Sequence, residues 1–429
     1  MSSTTARKRT ITLAIAIALI ATAIVVPQAG ARGSGSAASV VPFPANPVEA
    51  WSEIAETAIS AGRPPASSFV LAGITHAAMF DATVAIEGGF DPYLATPTVN
   101  RPASVAAAVA TAAHGVLVAR VPLQAVSVGT QYANYIGSLP PSRATLNGIA
   151  VGAQVAAAYV QGRANDGFNN VVLFQQPPVG AGVFEPIPPG TQPVDVKLTR
   201  VTPLAMSSNS QFRPDGPDPL TSAEYAADFD EVKALGRATD STRTPWQTET
   251  ARFWSDQTFV QWNRTARNLA IARGLSTLET ARMLAMIHVS AADGAIGCWD
   301  AKYYYNFWRP VQAITRADTD GNEATARDTA WNSLLVANHP EYPSGHSCVT
   351  GAITSALAAF FGTDEIPFEI SSTTTGTTRT YTSFSESLGE VIEARIYSGL
   401  HFRNSNEEGA GLGQNVANLV TSTLFQPTG

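Results

Sequence analysis

Three short runs in the last third of the chain hold residues able to do chemistry: Lys302-x6-Arg309-Pro310, Pro343-Ser344-Gly345-His346 and Arg395-x5-His401. Together they supply one lysine, two arginines, two histidines, a hydroxyl and a glycine N–H. That set suits a tetrahedral oxyanion. Guanidinium forks match its oxygens and carry permanent charge, and the lysine adds a point charge. A Ser-Gly turn at a helix start offers a hydroxyl and a backbone N–H. The two histidines can divide the work, one bonding the central atom and the other moving protons.

Each run has a blander explanation. Ser344 could be a plain helix N-cap, but that leaves Gly345 and His346 unexplained. Lys302 and Arg309 are seven apart, so they share a face if one helix runs through both. The segment between them, Tyr303-Tyr304-Tyr305-Asn306-Phe307-Trp308, is dense in aromatics. Cations among such bulk need a partner, and an anionic ligand is one; the competing account is side chains that snorkel to solvent. Arg395 and His401 say little as a pair, and Gly399 between them can end a helix. His76, His114 and His288 sit in helical patterns without a nameable partner and read as structural.

The elements that must position these residues are mostly helical. Apolar spacing of three and four predicts helices over residues 50–61, 67–87, 102–121, 141–165, 222–236, 244–273, 277–305, 344–361, 383–397 and 406–424. The fold class expected is all-α, paired helical bundles with the site in the bundle core. Residues 171–220, rich in Pro, Gly and Gln, read as an ordered excursion bordering the pocket. The Thr-rich residues 371–382 read as a loop or hairpin. Asp318-Thr-Asp320-Gly-Asn322 resembles the start of a calcium loop but has no glycine at the sixth position and Thr329 at the twelfth, so a solvated acidic turn is expected.

The 429 residues allow one large domain, and a net charge of −7 without a basic run beyond the N-terminus argues against nucleic acid as a partner. Arg7-Lys8-Arg9, an apolar run over residues 11–26 and Ala29-Gly30-Ala31 read as an export signal. The expected organisation is a signal peptide at 1–31, a disordered leader at 32–48 and a helical catalytic domain at 49–429. No further segment reads as a membrane span, which predicts a secreted protein; an oligomer is open. The two cysteines, Cys298 and Cys348, flank the motifs, and both a bridge and two buried thiols remain open. They are expected to lie close together.

The triple motif resembles that of the type-2 phosphatidic acid phosphatase and vanadium-dependent haloperoxidase superfamily. Trp299 onward to Pro310, then His339-Pro340-Glu341-Tyr342-Pro343-Ser344-Gly345-His346, then Arg395 to Arg403, is closer to the haloperoxidases. The N-terminal half agrees in being helical, with Ala77-Ala78-Met79-Phe80-Asp81-Ala82 and Phe90-Asp91-Pro92-Tyr93 similar to bacterial members. The resemblance implies vanadate as cofactor, no haem, and hydrogen peroxide, halide and a small organic acceptor as partners. It casts Lys302, Arg309, Ser344, Gly345 and Arg395 as hydrogen-bond donors to the vanadate oxygens, His401 as the single ligand to the metal and His346 as the acid–base group. Lys302 would also polarise the bound peroxide for halide attack. Trp299 and His339 fall where haloperoxidases line the halide region, and histidine at 339 suits bromide and iodide. The alternative on the same residues is an exported acid phosphatase, with phosphate in the site, a phosphohistidine at His401 and a phosphomonoester as substrate. An anion-binding protein with little turnover is a third class. Two positions depart from the family: Ala394 replaces a serine, and Ser405 replaces the aspartate that would orient His401. Asn404, Glu407 and Glu408 are the candidates to take over from that aspartate.

Overall fold

In the computed structural model, residues 43–429 are described, and they form one compact unit. The expected signal peptide and most of the expected leader lie outside the described residues. The described chain begins ahead of the expected boundary at 49, since Asn46 already caps the first helix, α1 (Pro47–Ser60).

Twelve further helices follow among the described residues: α2 (Pro65–Glu87), α3 (Val105–Arg120), α4 (Ala125–Ser138), α5 (Arg143–Gly162), α6 (Ala223–Leu235), α7 (Pro245–Phe253), α8 (Thr258–Arg273), α9 (Thr277–Tyr305), α10 (Pro310–Thr315), α11 (Gly345–Phe361), α12 (Phe384–Tyr397) and α13 (Arg403–Thr423). A hairpin, β1 (Phe368–Ser372) against β2 (Thr377–Tyr381), is antiparallel with Ile370 opposite Arg379. The axis of the molecule is α9. It packs on α2 on one side, and α2 in turn on α3 with α5 behind; on its other side lie α11 and α13. Its bounds follow from local chemistry. Ser276 and Glu279 form a reciprocal capping box at its start, and Asn306 ends it in the left-handed conformation with φ 48°.

Four readings of the sequence change. The segment 244–273 is two helices, because Trp254 to Gln257 leave the helical path between α7 and α8. The helix expected from Pro102 starts at Val105, with the Ser104 side chain accepting from the Ala107 N–H. Helix α4 and the short α10 were not expected. And α2, 23 residues with a mean hydropathy of 1.6, is long and apolar enough to cross a bilayer; 94% of that stretch is buried inside the protein. Its neighbours do what lipid would do.

The excursion and the irregular segment after α2 are each pinned by a buried carboxylate. Asp293 on α9 accepts the N–H groups of Leu204, Ala205 and Met206 at 2.6–2.7 Å. Asp81 on α2 does the same for Tyr93, Leu94 and Ala95, and takes the Tyr159 hydroxyl at 2.9 Å. Three amide donors compensate each buried carboxylate. The turn at Asp318–Asn322 holds structure together: Asp320 is buried, bonding Asn322 and Thr325, while Asn322 bonds the Leu220 and Ser222 carbonyls. The expectation of a solvated turn was therefore wrong for Asp320.

Candidate active site

The three motifs converge where the C-terminal end of α9 meets the N-terminus of α11 and the turn between α12 and α13. Lys302 is on the last turn of α9. The condition for Lys302 and Arg309 to share a helix face is not met, because Asn306 ends α9. Residues 306–309 run out of the helix and pair with the excursion, the Phe184 N–H on Asn306 O and the Trp308 N–H on Gly182 O. Arg309 then caps α10, as expected of a residue before proline. Arg395 lies in the last turn of α12. Gly399, φ 72°, ends that turn where the chain passes within 2.5 Å of Gly236 O, measured to where a Cβ would sit. His401 follows in the turn before α13.

All of Lys302, Arg309, Ser344, Arg395 and His401 are buried. A cavity of ≈ 120 Å³ opens onto Gly345, His346, Arg395, His401, Trp299 and His339. Lys302, Arg309 and Ser344 lie directly behind this wall. A Cβ on Gly345 would sit 3.1 Å from the Trp299 ring and 3.7 Å from Lys302 Cε. Lys302 Nζ donates to the carbonyls of Pro340 and Glu341, each at 3.0 Å, and to that of Pro343. Arg309 donates through Nε to His339 O at 2.7 Å and through Nη1 to Leu400 O at 2.8 Å and to His401 Nε2 at 3.2 Å. Its Nη2 donates to His339 Nδ1 at 2.7 Å. Arg395 Nη1 donates to Trp254 O at 3.3 Å, and its buried Nε has no partner.

Ser344 settles between two readings. It is the N-cap residue of α11, yet its hydroxyl makes no capping bond and is buried without a partner. A hydroxyl retained there only as a cap would be used as one. The unpartnered Ser344 Oγ and Arg395 Nε, beside three buried cations, fit an oxyanion such as vanadate or phosphate.

Glu341 is the carboxylate in contact with this cluster, and sequence reasoning passed over it. Its Oε1 accepts from His401 Nδ1 at 2.9 Å and from the Phe402 N–H at 3.0 Å. The candidates named for this task are elsewhere. Asn404 bonds Asp228 and Asp218, while Glu407 and Glu408 are exposed on α13. Ser405 Oγ is 3.4 Å from His401 Nδ1. The available signal was a glutamate inside the second motif of a chain lacking the usual aspartate. Thr258 was also missed: its Oγ1 is 2.9 Å from His346 Nε2.

Burial sets the charge states. It pushes Glu341 up to about 7, against the pull of Arg309 and Lys302. It lowers Lys302 to about 8 and Arg395 to about 9, with Arg309 adding to both. His339, His346 and His401 are all held well below the usual histidine range, by desolvation first and then by the nearby cations. For His339, burial and then Arg309, which donates to its ring nitrogen, keep the imidazole neutral.

Val194 of the excursion lines the cavity and accepts from Trp299 Nε1 at 3.0 Å and the Tyr303 hydroxyl at 2.8 Å. Pro64, Pro65, Ala66 and Phe69 of the α2 end form the facing apolar wall. Cys298 and Cys348 are both buried and free beneath the site, where each thiol perturbs the other and Cys298 Sγ donates to Pro343 O at 3.7 Å, so proximity holds and the bridge does not. His76 and His288 stack at 4.1 Å in the α2–α9 interface, far from any motif in sequence.

Residues 282–427 match the family model of the VCPO second helical-bundle domain. The vanadium chloroperoxidase of Curvularia inaequalis is 23% identical over 196 residues, which cover 38% of this chain and 32% of that protein. The chain thus spans about a third of the length of that curated relative. The solved structure of the first bacterial vanadium-dependent iodoperoxidase superposes with a TM-score of 0.77 at 22% identity, covering 91% of this chain and 99% of that one. A holo-type bacterial vanadium-dependent chloroperoxidase gives 0.68 at 17%, covering 84% and 92%.

Proposed function

We propose that the chain oxidises halide with hydrogen peroxide at a bound vanadate, a reading supported by the match of residues 282–427 to the VCPO second helical-bundle domain and by a fold shared with a bacterial vanadium-dependent iodoperoxidase. One observation carries the reading: three buried cations, an uncapped serine hydroxyl and a carboxylate-held histidine meet at one cavity wall. Each turnover would consume one halide, one hydrogen peroxide and one proton, and release hypohalous acid and water.

Arg309, Arg395 and Lys302 would hold the oxyanion, with Ser344 Oγ and the Gly345 N–H as further donors. His401 Nε2 would be the protein ligand, since its Nδ1 is engaged by Glu341. Vanadate held by these residues would supply a Lewis acid able to activate hydrogen peroxide without a change of oxidation state. His346, on the cavity wall, moves the proton and is oriented by Thr258. Trp299, Phe69 and Val349 keep bulk water from the wall. A cavity of ≈ 120 Å³ is well below the size of sites that enclose drug-sized organic molecules.

His339 beside Trp299, ring centroids 5.3 Å apart, supports bromide and iodide over chloride. A polar, hydrogen-bonding ring near the reacting oxygen makes a less activating pocket, and chloride is the hardest of the three to oxidise. The phosphatase reading uses the same donors, and the relatives above favour the halide reading over it. The basic and apolar pattern of residues 7–31 supports export and cleavage. The test is a halide panel with hydrogen peroxide and a neutral acceptor on vanadate-loaded protein, run beside a phosphomonoester assay. Iodide and bromide turnover is expected; strong phosphatase turnover with no halide oxidation at any vanadate concentration sinks the proposal.

A further inference from the structure

Glu341 touches all three motifs. Its N–H donates to Phe307 O at 2.9 Å, next to the first motif. Its carbonyl accepts from Lys302 Nζ at 3.0 Å. Its carboxylate accepts from His401 Nδ1 and from the Phe402 N–H in the third. The residue itself belongs to the second, three positions before Ser344. It is fully buried, and its carboxylate is absent from the wall of the anion cavity. The second oxygen, Oε2, has no partner. Glu341 also borders a separate water-sized opening of ≈ 10 Å³ on the far side of His401, with Asp218, Tyr225 and Asp228.

This geometry fixes more than contact. An imidazole has two ring nitrogens, and a carboxylate at Nδ1 requires the proton there. Nε2 then carries the lone pair, and it is Nε2 that points at Arg309, 3.2 Å away, among the cations. The Phe402 N–H on the same Oε1 keeps the carboxylate from following the ring if it turns.

We propose that Glu341 is the positioning residue of the site, holding His401 as the Nδ1–H tautomer with Nε2 aimed at the bound oxyanion. The proposal deepens the haloperoxidase reading and rests on it for the identity of the oxyanion. It assigns to the second motif a task that Ser405, one helical turn after His401, does not perform: Ser405 Oγ is 3.4 Å from Nδ1 and also faces Glu341 O at 3.4 Å. A carboxylate at 405 would reach the same ring nitrogen.

The test uses the full chain with three variants: Glu341→Leu, Glu341→Gln, and Glu341→Leu combined with Ser405→Asp. Two quantities are read. The first is the ¹⁵N chemical shift pair of His401 in anion-free protein, resolvable because the chain holds six histidines. The second is the affinity for orthovanadate and for inorganic phosphate by calorimetry. In the wild type His401 is expected as the Nδ1–H form. Glu341→Leu should lose that form and weaken orthovanadate binding by about 10- to 100-fold, the usual effect of removing an outer-shell partner. Ser405→Asp should restore both. Glu341→Gln keeps the shape and an acceptor for Phe402, so it stays measurable if the leucine variant does not fold; a mixed tautomer population and a smaller loss are expected. An unchanged tautomer in the glutamine and leucine variants overturns the proposal, as does a loss of binding in the leucine variant that Ser405→Asp fails to rescue. A wild type that binds neither oxyanion overturns the reading of the site instead, while the tautomer result still decides the role of Glu341.

Discussion

Thr258 Oγ1 and His346 Nε2 lie 2.9 Å apart, joining the first residue of α8 to the first turn of α11. The bond crosses from one packed layer to another, so the orientation of His346 depends on how α8 is seated. Thr258→Val removes the hydroxyl at nearly constant volume. Turnover is expected to fall about tenfold, a part of what a positioned acid–base group contributes. Orthovanadate affinity should change less than about twofold, because Thr258 makes no bond to the cationic cluster. Thr258→Ser should retain turnover. Steady-state kinetics beside calorimetry separates the two quantities.

His346 and His401 should differ in what they lose. His401→Ala is expected to abolish orthovanadate binding and turnover together. His346→Ala should leave orthovanadate bound and depress turnover by roughly 10²–10⁴-fold. Wild-type activity in the His401 variant would mean the third motif has been misassigned.

Any turnover limb near pH 6.5 should survive the substitution His339→Phe. Burial, Arg309 and Lys302 hold His339 well below 6.5, so it is neutral on both sides of that pH. The same substitution removes the acceptor of Arg309 Nη2, so iodide turnover should drop while the profile keeps its shape. A limb that vanishes with the imidazole would show that His339 does titrate there.

The stacked pair His76 and His288 predicts acid sensitivity away from the site. Burial lowers His76 to about 3 and holds His288 well below the usual range, with His76 adding to the effect. Both folded values lie below the unfolded 6.5. The stability they contribute is therefore fully present above pH 6.5 and is lost as pH falls toward 3. Replacing both, as His76→Gln with His288→Asn, should reduce the proton uptake on unfolding near pH 5 by about two. Urea titrations at several pH values give that slope, and an unchanged slope in the double variant refutes the assignment.

Gly413→Ala should displace the start of α11. A Cβ there would meet the Cys348 carbonyl and come within 2.6 Å of Ala352 N, both backbone atoms that cannot step aside cheaply. A loss of about 1–3 kcal/mol is expected from overpacking, with weaker oxyanion binding because Ser344 and Gly345 begin the same helix. Thermal melts and calorimetry test it together; unaltered values in both would mean the α11–α13 seam yields freely.

What could be read in the sequence was whatever local chemistry decides. The bounds of α9 follow from Ser276, Glu279 and a long apolar run, and were legible to the residue. The donors of the oxyanion cluster were legible because arginine, lysine and histidine are costly to bury without purpose. The break between α7 and α8 was not, because Trp254 to Gln257 contain neither glycine nor proline and leave the helix under tertiary packing. Whether one helix carries both Lys302 and Arg309 stayed open for a similar reason: Asn306 ends α9 by adopting a conformation that its type permits but does not demand. Glu341 escaped because a carboxylate reads as solvated until its neighbours are known. Thr258 and Val194 act through one hydroxyl and one carbonyl, which no pattern marks.

Helix α9 is enclosed by α2 on one flank and by α11 and α13 on the other. The matched family region begins at residue 282, five residues inside that helix. A cut there would strip α9 of its capping turn and expose the apolar flank that α2 covers. The boundary that sequence comparison draws is therefore not a seam along which the molecule can come apart. Expressed alone, residues 282–427 should aggregate or remain partly folded. The third of the chain that carries the three motifs has to fold in the company of the residues before it, which supply Thr258, Val194 and the apolar wall of the same site.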